Sequence, residues 1–235
     1  MKINGTDIKI FGAKQHRVEY GHQSASFSNE WVTGSVLPYM GYAKAGFKQV
    51  TVTVVMRGST RAEIIRNRSG LLALLRDPVL LDLDKNAHHF YCVLKSHRAT
   101  EVNQGHWHNM ELTFEGYECG DDVSASGQSE ITIENPGNTV SPCTVIITPG
   151  ITAASVTLTG ICVDPIKGTD IPVTVTELEA GEEIRIDGIT GLVTQGEELK
   201  DVDLWILPAV LPGETTVTCD NRMMGIEIFT RPLFM

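Results

Sequence analysis

Apolar and polar positions alternate along much of the chain, and only one stretch takes up a helical period instead. From 46 to 57 the run GFKQVTVTVVMR sets Phe47, Val50, Val52 and Val54 among polar partners, the pattern of a strand with one dry face. Its β-branched side chains suit a pleated surface better than a helix. The opening residues alternate through Ile3, Ile8 and Ile10 as a strand. The His- and Ser-rich stretch that follows, ending near Trp31, has no period and reads as a long loop or an irregular strand pair. Strands are predicted over 79–83, over 89–94 after a turn at 84–86, and over 106–118, where Met110, Leu112 and Phe114 share one face and Asn109, Glu111 and Thr113 the other.

The helical period is confined to STRAEIIRNRSGLLALLRD. Thr60 with Glu63 fits a capping box, while Ile64, Ile65, Leu71, Leu72 and Leu75 form an apolar stripe that Pro78 ends. One helix over about residues 60–75, lying on a sheet, is expected. Gly70 inside it costs about 1 kcal/mol relative to Ala, which predicts a kink or close packing. Residues 120–129, GDDVSASGQS, are small, polar and aperiodic, and mark a linker between domains 1–125 and 126–235. Beyond it, short strands are predicted at 131–134, 143–148, 155–160, 171–176, 183–187, 215–219 and 225–230. Turn residues separate them, the signature of a jelly-roll β-sandwich.

Composition narrows the class. With 42% hydrophobic and 20% charged residues the chain has apolar material for one large core or two modest ones, which excludes disorder as its governing state. Apolar runs such as 71–75 are too short to cross a bilayer, and MKINGTDIKIFG lacks the features of a secretory signal, so synthesis in a cytoplasm and no membrane partner are expected. Residues 1–120 carry 14 Lys and Arg against 11 Asp and Glu, net +3, whereas residues 121–235 carry 5 against 18, net −13. The asymmetry suits two separately built domains, and the acidic one repels phosphate backbones, so nucleic acid is not an expected partner. Cys92, Cys119, Cys143, Cys162 and Cys219 are irregularly spaced with no CxxC pair, and read as small buried hydrophobes.

The candidate chemistry is thin. His88 and His89 open one predicted strand and His106 and His108 sit two apart on another; were the strands paired, three imidazoles would converge as ligands, with zinc the default. Beside Phe90, Tyr91 and Trp107, the same residues read more simply as a half-buried or interface surface. Paired acids, Asp121 with Asp122, Glu182 with Glu183, Glu197 with Glu198 and Asp201 with Asp203, follow turns, as solvated charges do, and do not suggest a glycosidase pair with sugar platforms. GEELKDVD lacks the ligand alternation of a calcium loop. No GxSxG elbow, P-loop, dinucleotide fingerprint or HExxH occurs. No catalytic residue, metal ligand or cofactor site is assigned, and no enzyme is expected. A sugar-binding face would have to draw on Trp205, Tyr117 or Trp107, and Trp205, running into Ile-Leu-Pro, is expected in the core.

The second part holds an ordered series of features: ITIENPGNTVSPCTVIITPG at 131–150, EEIRIDGITGLVTQGEEL at 182–199, DLWILPAVLPGETTVTC at 203–219 and the ending IEIFTRPLFM. The Asn-Pro-Gly-Asn turn with Pro142 after it, Ile186-Asp187-Gly188 followed by Gly191-Leu192-Val193, and the step from Leu207-Pro208 to Pro212-Gly213 resemble the distal tail protein family of long, flexible-tailed bacteriophages and prophages. The opening strand, β-rich body and single helix of the first part resemble it more loosely. The resemblance implies a mainly β protein: a ring-forming domain at 1–125 with one helix, then a galectin-like β-sandwich at 126–235 projecting outward. It implies a hexamer at the virion tail tip that joins the tail tube protein to the tail-tip hub protein. The tape-measure protein would pass nearby, and the outer domain would carry receptor-binding or baseplate proteins. Two other readings stay open on the residues alone, a carbohydrate-binding or adaptor β-sandwich without catalysis and a hydrolase whose site is assembled from distant residues.

Overall fold

The alternating run at 46–57 becomes the strand Lys48–Arg57, with Val50, Val52, Val54 and Met56 turned inward and fully buried. The computed structural model describes every residue except 22, 24, 31, 32, 34, 35, 38, 103–105 and 165–167, and only the backbone of 25–30 and 39–45. Contacts divide the chain into two compact units, Met1–Glu118 together with Met235, and Cys119–Phe234.

In the first unit, Lys48–Arg57 lies between the strands Ala13–Tyr20 and Trp107–Cys119, antiparallel to both. The sheet continues through His89–Val102, Val79–Asp82, Lys2–Ile3 and Thr6–Asp7. Met110, Leu112 and Phe114 of Trp107–Cys119 are buried, as their spacing predicts, while Asn109 and Glu111 are exposed. Phe47 lies outside the strand and is exposed, because the inward parity belongs to the even positions from Val50 onward. The strands Ala25–Glu30 and Tyr39–Ala45 pair as a separate two-stranded sheet within the stretch expected as a loop or irregular strand pair. Trp31 falls outside the described residues.

The α-helix spans Arg61–Ala73, capped as its sequence predicts: the Glu63 N–H donates to Thr60 Oγ1 at 3.2 Å. The Glu63 carboxylate accepts from the Ser59 N–H at 2.8 Å, so the reciprocal arm of the box reaches one residue earlier than Thr60. The buried stripe is narrower than expected. Ile64 and Leu71 are fully buried and Leu75 follows just past the helix end, but Ile65 is 43% exposed and Leu72 only partly covered. At about 100° per residue Ile64, Leu71 and Leu75 fall on one line, and Ile65 lies a quarter-turn away. Gly70 marks close packing, since a Cβ there would stand 2.9 Å from the Phe11 ring.

The second unit consists of two sheets. One runs Val123–Gly127, Met224–Thr230, Ser141–Pro149, Ile184–Asp187, Val193–Gln195 and Glu198–Leu199; the other runs Glu130–Asn135, Gly213–Cys219, Ala153–Thr159 and Val173–Leu178. Val145, Ile147, Ile186, Ile226 and Ile228 from the first and Ile133, Val156, Leu158, Val175 and Val217 from the second share one core, so the unit is a β-sandwich. The expected linker at 120–129 is therefore mostly a strand: Val123–Gly127 pairs along its length with Ile226 to Thr230, and Val123 and Ala125 pack on the core. The division between compact units consequently falls at 118/119, several residues before 125/126. All five cysteines are buried.

Candidate functional site

The motif residues of the second unit converge on backbone junctions. The Asn135 side chain is 1% exposed. Its Nδ2 donates to the carbonyls of Thr139 (3.3 Å) and Val210 (3.1 Å) and to Ser141 Oγ (3.2 Å), and its Oδ1 accepts from the Gly137 N–H (2.9 Å). Ser141 Oγ in turn accepts from the Leu233 N–H at 2.9 Å. A Cβ on Gly188 would stand 2.1 Å from the Pro208 carbonyl and 2.4 Å from that of Cys143, so the Ile-Asp-Gly step and the Leu-Pro step meet where only glycine fits. Burial raises the Asp187 pKa, but hydrogen bonds from the backbone of Ile189 and the side chain and backbone of Thr190 outweigh it and hold the carboxyl below its ordinary value. These residues fix the sandwich.

Among the described residues the candidate histidines do not gather. His88 Nδ1 lies 2.9 Å from Glu118 Oε1 and Lys48 Nζ donates to Glu118 Oε2 at 3.1 Å. Burial pushes the Glu118 carboxyl up, and these hydrogen bonds, His88 then Lys48, more than reverse it. Burial and the Glu118 charge together raise the Tyr20 phenol. His89 bonds the Asp82 carboxylate. His106 is an exposed turn residue, whereas His108 is buried with neither ring nitrogen hydrogen-bonded among the described residues. The strand starts only at Trp107, so His106 and His108 do not share the face expected of them. Among the described residues, no three His, Cys, Asp or Glu side chains are grouped to hold a metal ion.

The paired acids divide between ion pairs and one open concavity. Asp122 takes a bidentate pair from Arg231 (2.6 and 2.8 Å), and Glu182 accepts from Gln195 at 3.2 Å. Glu177, Glu179, Glu182, Glu197, Glu198 and Asp201 rim an open acidic concavity of about 740 Å3. Trp205 is not in the core: it is 78% exposed. Val202, Leu204 and Ile206 take the inward positions against the core, so the alternate residues Asp203, Trp205 and Leu207 face outward. Ile189 and Leu192 are exposed as well, and a Cβ on Gly191, between them, would stand 3.0 Å from Leu207. In the first unit, Ala13–Tyr20 ends the sheet and, among the described residues, is paired on one side only, an edge of the kind that accepts a strand from another chain.

Two compact units, a sheet with one helix and a β-sandwich, define a two-part β scaffold whose evident assets are edges and faces. That fold is shared with phage adsorption-apparatus and baseplate proteins. The SPP1 Dit (gp 19.1) protein, whose crystal structure is described as a paradigm of the hub adsorption apparatus in phages infecting Gram-positive bacteria, superposes with a TM-score of 0.71 at 13% identity, over 100% of this chain and 98% of that one. A chain of the phage P2 baseplate in its activated conformation with Ca matches with a TM-score of 0.56 at 9% identity, over 96% and 92%. The same baseplate with Sr gives 0.56 at 10% identity, over 95% and 92%. No family model matches the sequence, and no curated protein does.

Proposed function

We propose that the protein is a structural component of a bacteriophage tail tip. In this reading six copies form a ring that connects the tail tube protein to the tail-tip hub or baseplate. The domain of about residues 1–125 makes the ring, and the galectin-like, jelly-roll sandwich projects outward, with tape-measure and receptor-binding proteins as further partners. The observation that carries the reading is the likeness to SPP1 Dit over the full length of both units, at a TM-score of 0.71. The open edge Ala13–Tyr20 supports it, because a closed ring repeats one heterologous contact and an unpaired strand edge is a ready component of such a contact. Light scattering and electron microscopy on the full chain, near millimolar concentration or with a tail-tip hub protein, test it. A closed six-fold ring is expected. A monomer under both conditions refutes it.

A carbohydrate-binding sandwich is the second reading, favoured by one observation: Trp205 stands exposed beside Leu207 on the second unit. Titration with a panel of soluble cell-wall saccharides, repeated on Trp205→Ala, distinguishes it. Saccharide binding that the variant loses, in a protein that stays monomeric, replaces the ring reading.

A further inference from the structure

The outward face of the first unit's sheet carries a notch that none of the motifs uses, a cavity of about 420 Å3 lined by Gly12, Lys14, His16, Val55, Arg57 and Trp107 among others. Local backbone geometry shapes it. The 3-10 turn Ile8–Phe11 ends at Gly12 with φ of 62°, and a Cβ there would stand 2.4 Å from the Arg57 carbonyl oxygen, so the chain passes this close to Arg57 only as glycine. The Gly12 carbonyl accepts the Arg57 N–H at 2.9 Å, which fixes where Arg57 begins. The register shifts between Gln15 and Arg17, which makes His16 the extra residue of a bulge and re-aims its side chain. Gln15 is tied down by accepting the Asp84 N–H at 3.0 Å.

Across the strands Lys14 opposes Val55 and Arg57 opposes Trp107, so cations and apolar surface alternate over the notch. The Arg57 guanidinium lies 3.6 Å from the centroid of the Trp107 ring. Such a stack orders the planar fork while its in-plane N–H donors stay available, the arrangement suited to a bidentate carboxylate. Elsewhere in this unit, Arg17, Arg61 and Lys95 have their own partners in Glu19, Glu101 and Glu115 at 2.9 to 3.0 Å. Lys14 and Arg57 have no ion-pair partner among the described residues.

We propose that this notch is a binding site for a carboxylate carried on an acidic segment of a partner protein. A nucleic-acid strand fits it less well, because one face of the Trp107 ring is already taken by Arg57, which leaves less of it to stack a base.

Fluorescence anisotropy of a labelled oligo-glutamate peptide against the full-length chain, at low ionic strength and near physiological salt, tests the site, with oligo-glutamine as the control. Binding should be specific to the acidic peptide and weaken with salt. Arg57→Ala should weaken it about tenfold or more, and Lys14→Ala by less. Arg57→Lys, which keeps the charge and loses the fork, should fall between wild type and Arg57→Ala. Arg222→Ala, an exposed arginine of the second unit, should bind as wild type does. Circular-dichroism melting verifies that each variant is folded. Equal binding of the two peptides overturns the proposal, as does equal loss in the Arg57 and Arg222 variants. Tighter binding of a single-stranded oligonucleotide of matched charge reassigns the notch to phosphate. Arg57→Ala loosening self-association in sedimentation reassigns it to a second copy of this chain.

Discussion

Replacing Asn135 tests whether the Asn-Pro-Gly-Asn turn is the fastening of the second unit. Its amide is buried and satisfies donors and acceptors from four directions: the Thr139 and Val210 carbonyls, Ser141 Oγ and the Gly137 N–H. Asn135→Ala strips the Gly137 N–H of its acceptor in a place water does not reach, at about 1–3 kcal/mol for the orphaned group. It also removes the donor shared by Val210 and Ser141, for about another 1 kcal/mol. Ser141 loses less, since it still accepts from the Leu233 N–H and donates to the Thr139 carbonyl. The sum, about 2–4 kcal/mol, is a large fraction of a typical domain stability of about 5–15 kcal/mol. Asn135→Asp separates the two halves of the argument. It keeps an acceptor for Gly137 but sets a carboxylate oxygen against two carbonyls, so it should be worse than Ala at neutral pH and recover relative to Ala as acid protonates it. Urea unfolding followed by circular dichroism, run at neutral pH and near pH 4, reads both variants. A loss below about 0.5 kcal/mol for Asn135→Ala, or an Asp variant as stable as wild type at neutral pH, refutes the reasoning.

In the first unit, Leu71→Ala should cost about 2–5 kcal/mol and Ile65→Ala under about 0.5 kcal/mol, because only the former opens a cavity beneath the helix; denaturant midpoints compare them. Burial pushes the Cys143 and Cys162 thiols up to about 12. A thiol-reactive dye should therefore label the native protein far more slowly than the same protein in denaturant, and rapid native labelling at either position would contradict the packing. Glu118, held below its ordinary value of 4.5 by its partners, contributes stability that is complete above that pH and is lost as acid protonates it. The wild-type melting temperature should accordingly fall more steeply than that of Glu118→Gln between about pH 5 and about pH 3. Parallel acid profiles would show that the contact contributes nothing.

How far the chain could be read depended on how much each element owes to its own neighbours in sequence. Lys48–Arg57 is legible because Val50, Val52, Val54 and Met56 carry the strand's parity within ten residues. The helix start is legible for the same reason, through Thr60 and Glu63. Val123–Gly127 is not, since valine, alanine and glycine on its inner face give little hydrophobic contrast and a distant partner decides its state. Trp205 sits among apolar residues that disguise its exposure, although the alternation of Val202, Leu204 and Ile206 assigns the inward positions to its neighbours. The notch around Arg57 was out of reach, because it rests on a left-handed glycine, a bulge and a stack with Trp107, which no local spacing announces. The two histidine pairs stay apart although their strands are neighbours, because the start of one strand lies beside the end of the other, where His88 meets Glu118 rather than His108.

The strand Met224–Thr230 is laid between Val123–Gly127 and Ser141–Pro149, and beside it Asp122 grips Arg231, 109 residues further along the chain. On the ribosome, at about 5–20 residues per second, the earlier strands wait for several seconds with their edges bare before the one that joins them is made. During that interval their unpaired backbone is open to strands of other nascent copies. Val123–Gly127 meets the wait with two serines, an alanine and a glycine, a segment with too little apolar surface to adhere to a stranger. The blandness that disguises this strand in the sequence would then serve as protection while the protein is being synthesised.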